Sequence, residues 1–356
     1  MHVVLSGYYG FHNVGDDAIL LSIISALKEE DPNIEITVLS NDPEDTKKVY
    51  GVNAVNRWKL KEVLNVIRSS DGLISGGGSL LQDKTGMKSV IYYSGVMMIA
   101  KLVGKPFFIY AQGIGPVDKT SNQRIVKSII SKAKKVTIRD EESKELLENI
   151  RVKNEITLVP DPVLGLEASA FESPWLNSIE ITKPIVAVSV RDWPSEVNYK
   201  ERIAQSLDET ARKGYEIVFL PMHGEHDEVS SKEVLAMMKE KVIIAPHDAS
   251  IEEKVAIIGK SHLLVGMRLH ALIFAAVTRT PFVALSYDPK IDSFASQSNQ
   301  PVAGHVCEEW PVEQLNSIIT EQLHYRVREQ EKLEQFMKSA QPAARNTARM
   351  AMDCFK

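Results

Sequence analysis

The sequence predicts an α/β protein made of two doubly wound parallel-sheet domains around one cleft. Three observations predict it. Short β-rich runs alternate with amphipathic helical stretches from residue 2 to about residue 285, the pattern of β–loop–α units with helices on both faces of a parallel sheet. The chain has 356 residues, room for about two domains. The alternation lapses from Leu164 to Pro184, a stretch with Pro174, Pro184 and no clear strand, and then resumes. The resulting division is a first domain 1–170, a linker 171–184, a second domain 185–325 and a helical tail 326–356.

In the first domain, strands are expected at 2–6, 34–40, 72–75, 107–111, 135–139 and 155–158. Helices are expected at about 17–30, 60–69, 89–103, 123–133 and 141–149, from their 3.6-residue apolar spacing. The second series has strands at 185–190, 216–220, 242–244, 262–265 and 281–285. Its helices are expected near 200–213, 228–239 and 250–259, then after His270. Pro311 starts a further helix, and Pro342 is expected to interrupt the tail.

Composition narrows the function. The hydrophobic fraction is 44% and the charged fraction 25%, ordinary for a globular protein with real cores. The net charge of −5 argues against nucleic acid as a partner. Cys307 and Cys354 lie far apart and form no metal or redox motif, which fits a reducing cytoplasm. The opening residues read as a strand with no basic leader before it. The apolar region 90–111 is broken by Lys101, Lys105 and Pro106, so it reads as a buried helix and a strand.

Ligands of open α/β sheets bind beyond the C-terminal strand ends, and polar residues gather there in this chain. After the first strand comes Gly7-Tyr8-Tyr9-Gly10-Phe11-His12-Asn13-Val14-Gly15-Asp16-Asp17. It is Gly-rich but matches neither a dinucleotide fingerprint nor a P-loop. Asn13, Asp16 and Asp17 are candidates to accept from sugar hydroxyls, or to cap the helix. The third strand ends in Ser75-Gly76-Gly77-Gly78-Ser79-Leu80-Leu81-Gln82-Asp83. Three glycines allow close approach of backbone to a ligand, with Gln82 and Asp83 beside it. Gln112 and Gly113 end the next strand, and Arg139 the one after, with Asp140 placed to cap a helix.

In the second half, Arg191 ends a strand. The run Pro221-Met222-His223-Gly224-Glu225-His226-Asp227 ends the next. His223 and Glu225 are substrate-contact candidates, but the run offers no obvious set of three metal ligands, and no metal is assigned. Gly266-Met267-Arg268-Leu269-His270 turns from a strand into an apolar helix. A helix N-terminus attracts anions, an arginine fork suits carboxylate or phosphate, and a histidine beside a bound anion can donate a proton. Lys290 follows the last strand. Arg139, Arg191, Arg268 and Lys290 could converge with His270 on a small polyanion. No GxSxG elbow occurs, which leaves out that hydrolase class.

Taken as an ordered set, the 10–20 start, Gly-Gly-Gly-Ser-Leu-Leu-Gln-Asp, Gln-Gly-Ile-Gly-Pro, Arg-Asp-Glu-Glu-Ser and Arg-Leu-His-Ala resemble the polysaccharide pyruvyltransferase family, closest to its bacterial cell-wall branch. The motifs run from Tyr8 to Lys290. The resemblance implies a GT-B-like fold of two Rossmann-type domains, phosphoenolpyruvate as donor and a glycan as acceptor. The product would be a cyclic pyruvate ketal. In the cell-wall branch the acceptor is an N-acetylmannosamine residue on a lipid-linked precursor, and the ketalated polymer anchors surface-layer proteins. The family's donor-site residues fall on Arg139, Arg268, His270 and Lys290.

The residues fit that chemistry. Phosphoenolpyruvate carries a carboxylate and a phosphate, which cations would neutralise and orient. His270 is the candidate acid toward the methylene carbon. The helix end lowers its pKa and the bound anion raises it, with the anion dominant. Asp16, Asp17, Asp83 and Glu225 are candidate bases. The scheme uses no redox cofactor and requires no metal. A cytoplasmic enzyme acting on a lipid-linked acceptor could touch the inner membrane face, and the basic residues of the tail are one place for that contact. Two other readings share the architecture: a GT-B glycosyltransferase, which would bind a uridine nucleotide, and a glycan-binding protein that releases no phosphate.

Overall fold

The first sheet has seven parallel strands in the order β3-β2-β1-β4-β5-β6-β7. The strands are β1 (His2–Ser6), β2 (Glu35–Ser40), β3 (Asn53–Asn56), β4 (Gly72–Gly76), β5 (Phe107–Gln112), β6 (Lys135–Ile138) and β7 (Ile156–Leu158). Helices α1 (Val14–Glu30), α2 (Pro43–Tyr50), α3 (Leu60–Ser69), α4 (Lys88–Leu102), α5 (Thr120–Ile130) and α6 (Glu141–Asn149) connect them. This is a computed structural model, and it describes residues 1–84 and 88–356. Residues 1–166 with 340–356 form one compact unit, and residues 167–339 form the other.

The chain order reverses between β1 and β4, the topological switch point at which such sheets open a crevice. Ser6 pairs with Ser75 there, so the loops after β1 and β4 leave the sheet side by side. One face of this sheet is covered by α3, α4 and α5. Val63, Ile67, Val90, Met97, Val126 and Ile130 are fully buried against Leu73, Phe107 and Ile109. Strands buried on both faces read as continuous apolar runs, which is why 107–111 was legible from sequence.

The second unit holds α7 (Pro174–Ser178) and a six-stranded parallel sheet in the order β10-β9-β8-β11-β12-β13. Its strands are β8 (Ile185–Ser189), β9 (Glu216–Phe219), β10 (Ile243–Ile244), β11 (Leu263–Gly266), β12 (Phe282–Ser286) and β13 (Val302–His305). Its helices are α8 (Tyr199–Arg212), α9 (Gly224–Met237), α10 (Ile251–Lys260), α11 (Leu269–Thr278), α12 (Pro289–Gln297) and α13 (Val312–His324). The switch point lies between β8 and β11, where Ser189 pairs with Gly266. The final helix, α14 (Arg326–Asp353), contributes residues to both units.

Several elements differ from the sequence expectation. Pro342 lies inside α14, which continues through it. α2 and β3 were not expected, although Asp42 caps α2 with Pro43 at its start, a recognisable start signal. The same Asp-Pro signal opens α12 at Asp288-Pro289, and β13 follows as a sixth strand. The 164–184 stretch contains a 3-10 turn, Pro162–Gly165, at its start and the short α7. Helix α1 starts at Val14, because Asn13 accepts from the amides of Gly15 and Asp16 and sets the N-terminus there.

Candidate active site

In the first unit the strand-end loops place carboxylates around one guanidinium. Arg139 follows β6 and is mostly buried; its Nη1 lies 2.6 Å from Asp161 Oδ2. Asp161 itself accepts from the amide of Val163. Asp16, in the first turn of α1, is raised to a pKa of about 7. Burial is the main cause, Arg139 opposes it, and Asp161 adds to it. Asp17 is also raised to about 7, by burial and then by the charges of Asp16 and Asp45. Two neighbouring carboxyls poised near neutrality are suited to exchange protons with hydroxyl groups.

The glycine run after β4 is shaped by its own unit. A Cβ on Gly76 would lie 2.5 Å from the Tyr9 hydroxyl, and one on Gly77 would lie 2.3 Å from Ile19 Cγ2. Gly78 has φ +75, and a Cβ there would sit 2.7 Å from Asp16 Oδ1. The triplet therefore lets the β4 loop close against α1 and seats Asp16. All three glycines are buried and pack the β4 loop on α1.

Gln112 is likewise fully buried, with its side-chain nitrogen donating to Ser75 O and Oγ. Through that nitrogen it ties β5 to β4. Gly113 donates its amide to Gly78 O and packs beside Ser79, Arg139 and Asp140. Asp83 accepts from the amides of Asp118 and Lys119 and from Asn122. Those amide bonds hold its pKa below the ordinary carboxylate value, which makes it a poor base and a good loop clasp. Gln82 is partly buried next to it.

In the second unit, Arg191 follows β8 and Arg268 follows β11, the two strands of the switch point. Arg191 Nη1 donates to Tyr287 Oη at 2.7 Å, and its guanidinium stacks 4.6 Å from that ring and 5.1 Å from Trp193. Arg268 pairs bidentately with Asp227 through Nε (2.9 Å to Oδ2) and Nη2. Nη1 stays outside this fork. Asp227 is 1% exposed and also accepts from the amides of Met222 and His223. Asp227 is thereby committed to holding Arg268. Among the described residues no group of three His, Cys, Asp or Glu is placed to hold a metal ion.

His270 is the second residue of α11 and is partly buried. Lys290 lies in the first turn of α12, whose N-cap is Asp288. His223 stacks on His226, ring centroids 5.6 Å apart. Burial, followed by Arg268, pushes the His223 pKa down. Glu225 is exposed in the first turn of α9. Beside Tyr287 a cavity of about 240 Å³ is lined by Ser286, Asp292, His305 and Cys307 among others.

Sequence reading missed the partners. Asp161 sits in Pro160-Asp161-Pro162, a rigid turn signal, but nothing in it points to Arg139. Tyr287 was visible in Ser286-Tyr287-Asp288 without any sign that it would meet Arg191. Lys254 was also missed: it is fully buried on α10, with Nζ donating to the carbonyls of His247 and Ala249.

A profile described as polysaccharide pyruvyl transferase matches residues 13–289 of the chain. A curated relative, the amylovoran biosynthesis protein AmsJ of Erwinia amylovora, is 22% identical over 355 residues, covering 82% of this chain and 84% of its own. Among solved structures, UDP-GlcNAc 2-epimerase from Neisseria meningitidis superposes with TM-score 0.65 at 12% identity, covering 99% of both chains. ADP-heptose lps heptosyltransferase II of E. coli gives TM-score 0.57 at 14% identity, over 92% of this chain and all of that one. These structural likenesses establish the GT-B-type pair of Rossmann-like domains.

Proposed function

Because the chain belongs to the polysaccharide pyruvyl transferase family, we propose that it transfers the pyruvyl unit of phosphoenolpyruvate to two hydroxyls of one sugar in a polysaccharide precursor. The product is a cyclic ketal and inorganic phosphate. The observation that carries this reading is the second unit's switch point. Arg191, Arg268 and His270 leave adjacent strand ends there, with Lys290 after the neighbouring β12. That is a cationic strand-end set with an acid–base residue at a helix N-terminus, suited to a small carboxylated phosphate.

In this scheme Arg268, oriented by Asp227, and Lys290 bind the donor's anionic groups. Protonated His270 gives its proton to C3 of the enol, and C2 becomes an oxocarbenium centre. One sugar hydroxyl adds to C2, and the C2–O bond to phosphate then breaks, the phosphate leaving with the proton that this hydroxyl gives up. The second hydroxyl closes the ring on C2, and its proton restores the donor acid. Within the first unit, Asp16 and Asp17 are the carboxyls suited to exchange protons with hydroxyl groups, with Arg139 opposing the rise of Asp16. Neither a metal nor a redox group enters this scheme. The acceptor we favour is N-acetylmannosamine in a lipid-linked cell-wall precursor, destined to anchor surface-layer proteins.

The test pairs thermal stability with phosphate release. Phosphoenolpyruvate should raise the melting temperature saturably, and less so in Arg268→Lys and Lys290→Ala. His270→Ala should keep the shift but lose at least ~10²-fold in phosphate release with acceptor present. A shift given by UDP or a UDP-sugar and not by phosphoenolpyruvate would replace this reading with a nucleotide-sugar transferase.

A further inference from the structure

Residues 57–134, which supply α3, α4 and α5, contain thirteen Lys and Arg against four Asp and Glu. The rest of the chain carries 29 against 43. A protein of net charge −5 thus concentrates nine net positive charges in the segment that supplies this layer. That layer is continuous, since α4 packs between α3 and α5.

The same layer exposes large apolar side chains. Trp58 is 59% exposed, Leu60 66%, Ile91 54% and Leu102 78%. Leu60 and Leu64 are one helical turn apart on α3, and Ile91 and Leu102 are three turns apart on α4, so each pair shares a side of its helix. α4 buries Val90, Val96, Met97 and Ala100 against the sheet and leaves Ile91 and Leu102 exposed beside Lys88 and Lys101. Trp58 joins the two helices: its ring centroid lies 5.3 Å from that of Tyr92, and its indole N–H is held by Asn41 Oδ1 at 2.9 Å. Lys59, Lys61, Lys88 and Lys101 are exposed around these residues.

We propose that the α3–α4–α5 layer docks the protein on a membrane surface rich in anionic lipid. A fixed tryptophan and leucines ringed by lysines match the headgroup boundary, where apolar side chains enter and cations meet anionic headgroups. The arrangement is peripheral, because among the described residues no helix is long and apolar enough to cross a membrane. The tail is less suited, since Arg345 and Arg349 are paired with Glu29 and Glu30, and Arg328 and Lys332 with buried Glu329. The proposal rests on charge and exposure and is independent of the reaction assigned above.

The test is sedimentation of the full-length protein with vesicles of phosphatidylcholine alone or mixed with phosphatidylglycerol. The expected result is binding to the mixed vesicles only, reversed by high salt, with a blue shift of Trp58 emission that Trp58→Phe removes. Leu60→Glu/Leu64→Glu should weaken binding at least tenfold, and Lys59→Ala/Lys61→Ala roughly fivefold per charge. Lys338→Ala, an exposed control on α14, should bind like wild type. Absence of binding to the mixed vesicles at low salt would overturn the proposal. So would binding unaffected by the α3 variants. A concentration-dependent dimer by light scattering, abolished by those variants and without vesicle binding, would reassign the face to a second copy of the chain.

Discussion

Asp16 offers the sharpest test of the site's electrostatics. Its carboxyl is raised from 3.8 to about 7, so between those values the native state keeps a proton that the unfolded chain has lost. The stabilisation is fully present below about pH 4 and disappears as pH rises through 7. A shift of about 3 units corresponds to roughly 4 kcal/mol, and the partial exposure of Asp16 and its coupling to Asp17 reduce the expected effect to roughly 2 kcal/mol. Asp16→Asn keeps the shape of the neutral acid and removes the ionisation. At pH 5 the variant should therefore be less than about 1 kcal/mol more stable than wild type, and at pH 8 about 2 kcal/mol more stable. Urea unfolding at the two pH values reads the difference. Arg139→Ala should push the wild-type transition to higher pH, because Arg139 is the charge that opposes the shift. An Asp16→Asn offset equal at pH 5 and pH 8 would refute the reasoning.

Three further outcomes follow from named contacts. Arg268→Ala leaves Asp227 buried without its counter-ion and should cost about 3–5 kcal/mol, with Arg268→Lys recovering part of it; urea midpoints check this. Gly77→Ala should lower stability by about 1–3 kcal/mol, because its methyl meets Ile19. Gly95→Ala, in α4 with nothing within 4 Å, should raise stability by about 0.5–1 kcal/mol; melting curves of the two variants should move in opposite directions. Burial lowers Lys254 to about 8, below the unfolded value of about 10.4. Its contribution to stability is present above pH 10.4 and lost as pH falls through 8. Wild type should accordingly gain stability over Lys254→Met between pH 8 and pH 10 in chemical denaturation.

The sequence alone determined the α/β class, the two series of strands and helices, and the fact that polar residues collect at strand ends. These are local properties: the apolar runs at 107–111 and 281–285 announce strands buried on both faces, and Asp140 announces a helix start. The positions of Arg139, Arg191, Arg268 and His270 just beyond strands were legible for the same reason. What the strand-end residues touch was not local. Arg268 meets Asp227 across 41 residues and Arg191 meets Tyr287 across 96, separations that no short-range pattern encodes.

The tertiary structure also reassigned residues that looked alike in sequence. Gln112, Gly76 and Gly77 read as ligand contacts because polar and glycine residues at strand ends often are. Packing made them internal, since β4 and β5 lie side by side and the β4 loop closes on α1. Asp16 and Asp83 are both carboxylates beside a glycine-rich turn. Burial near Asp161 raised the first, and two backbone amides lowered the second. Composition fixes how many charges a chain carries; only the fold decides which are desolvated, which are paired and which remain at the surface, because desolvation and Coulomb terms depend on distances that the chain acquires on folding.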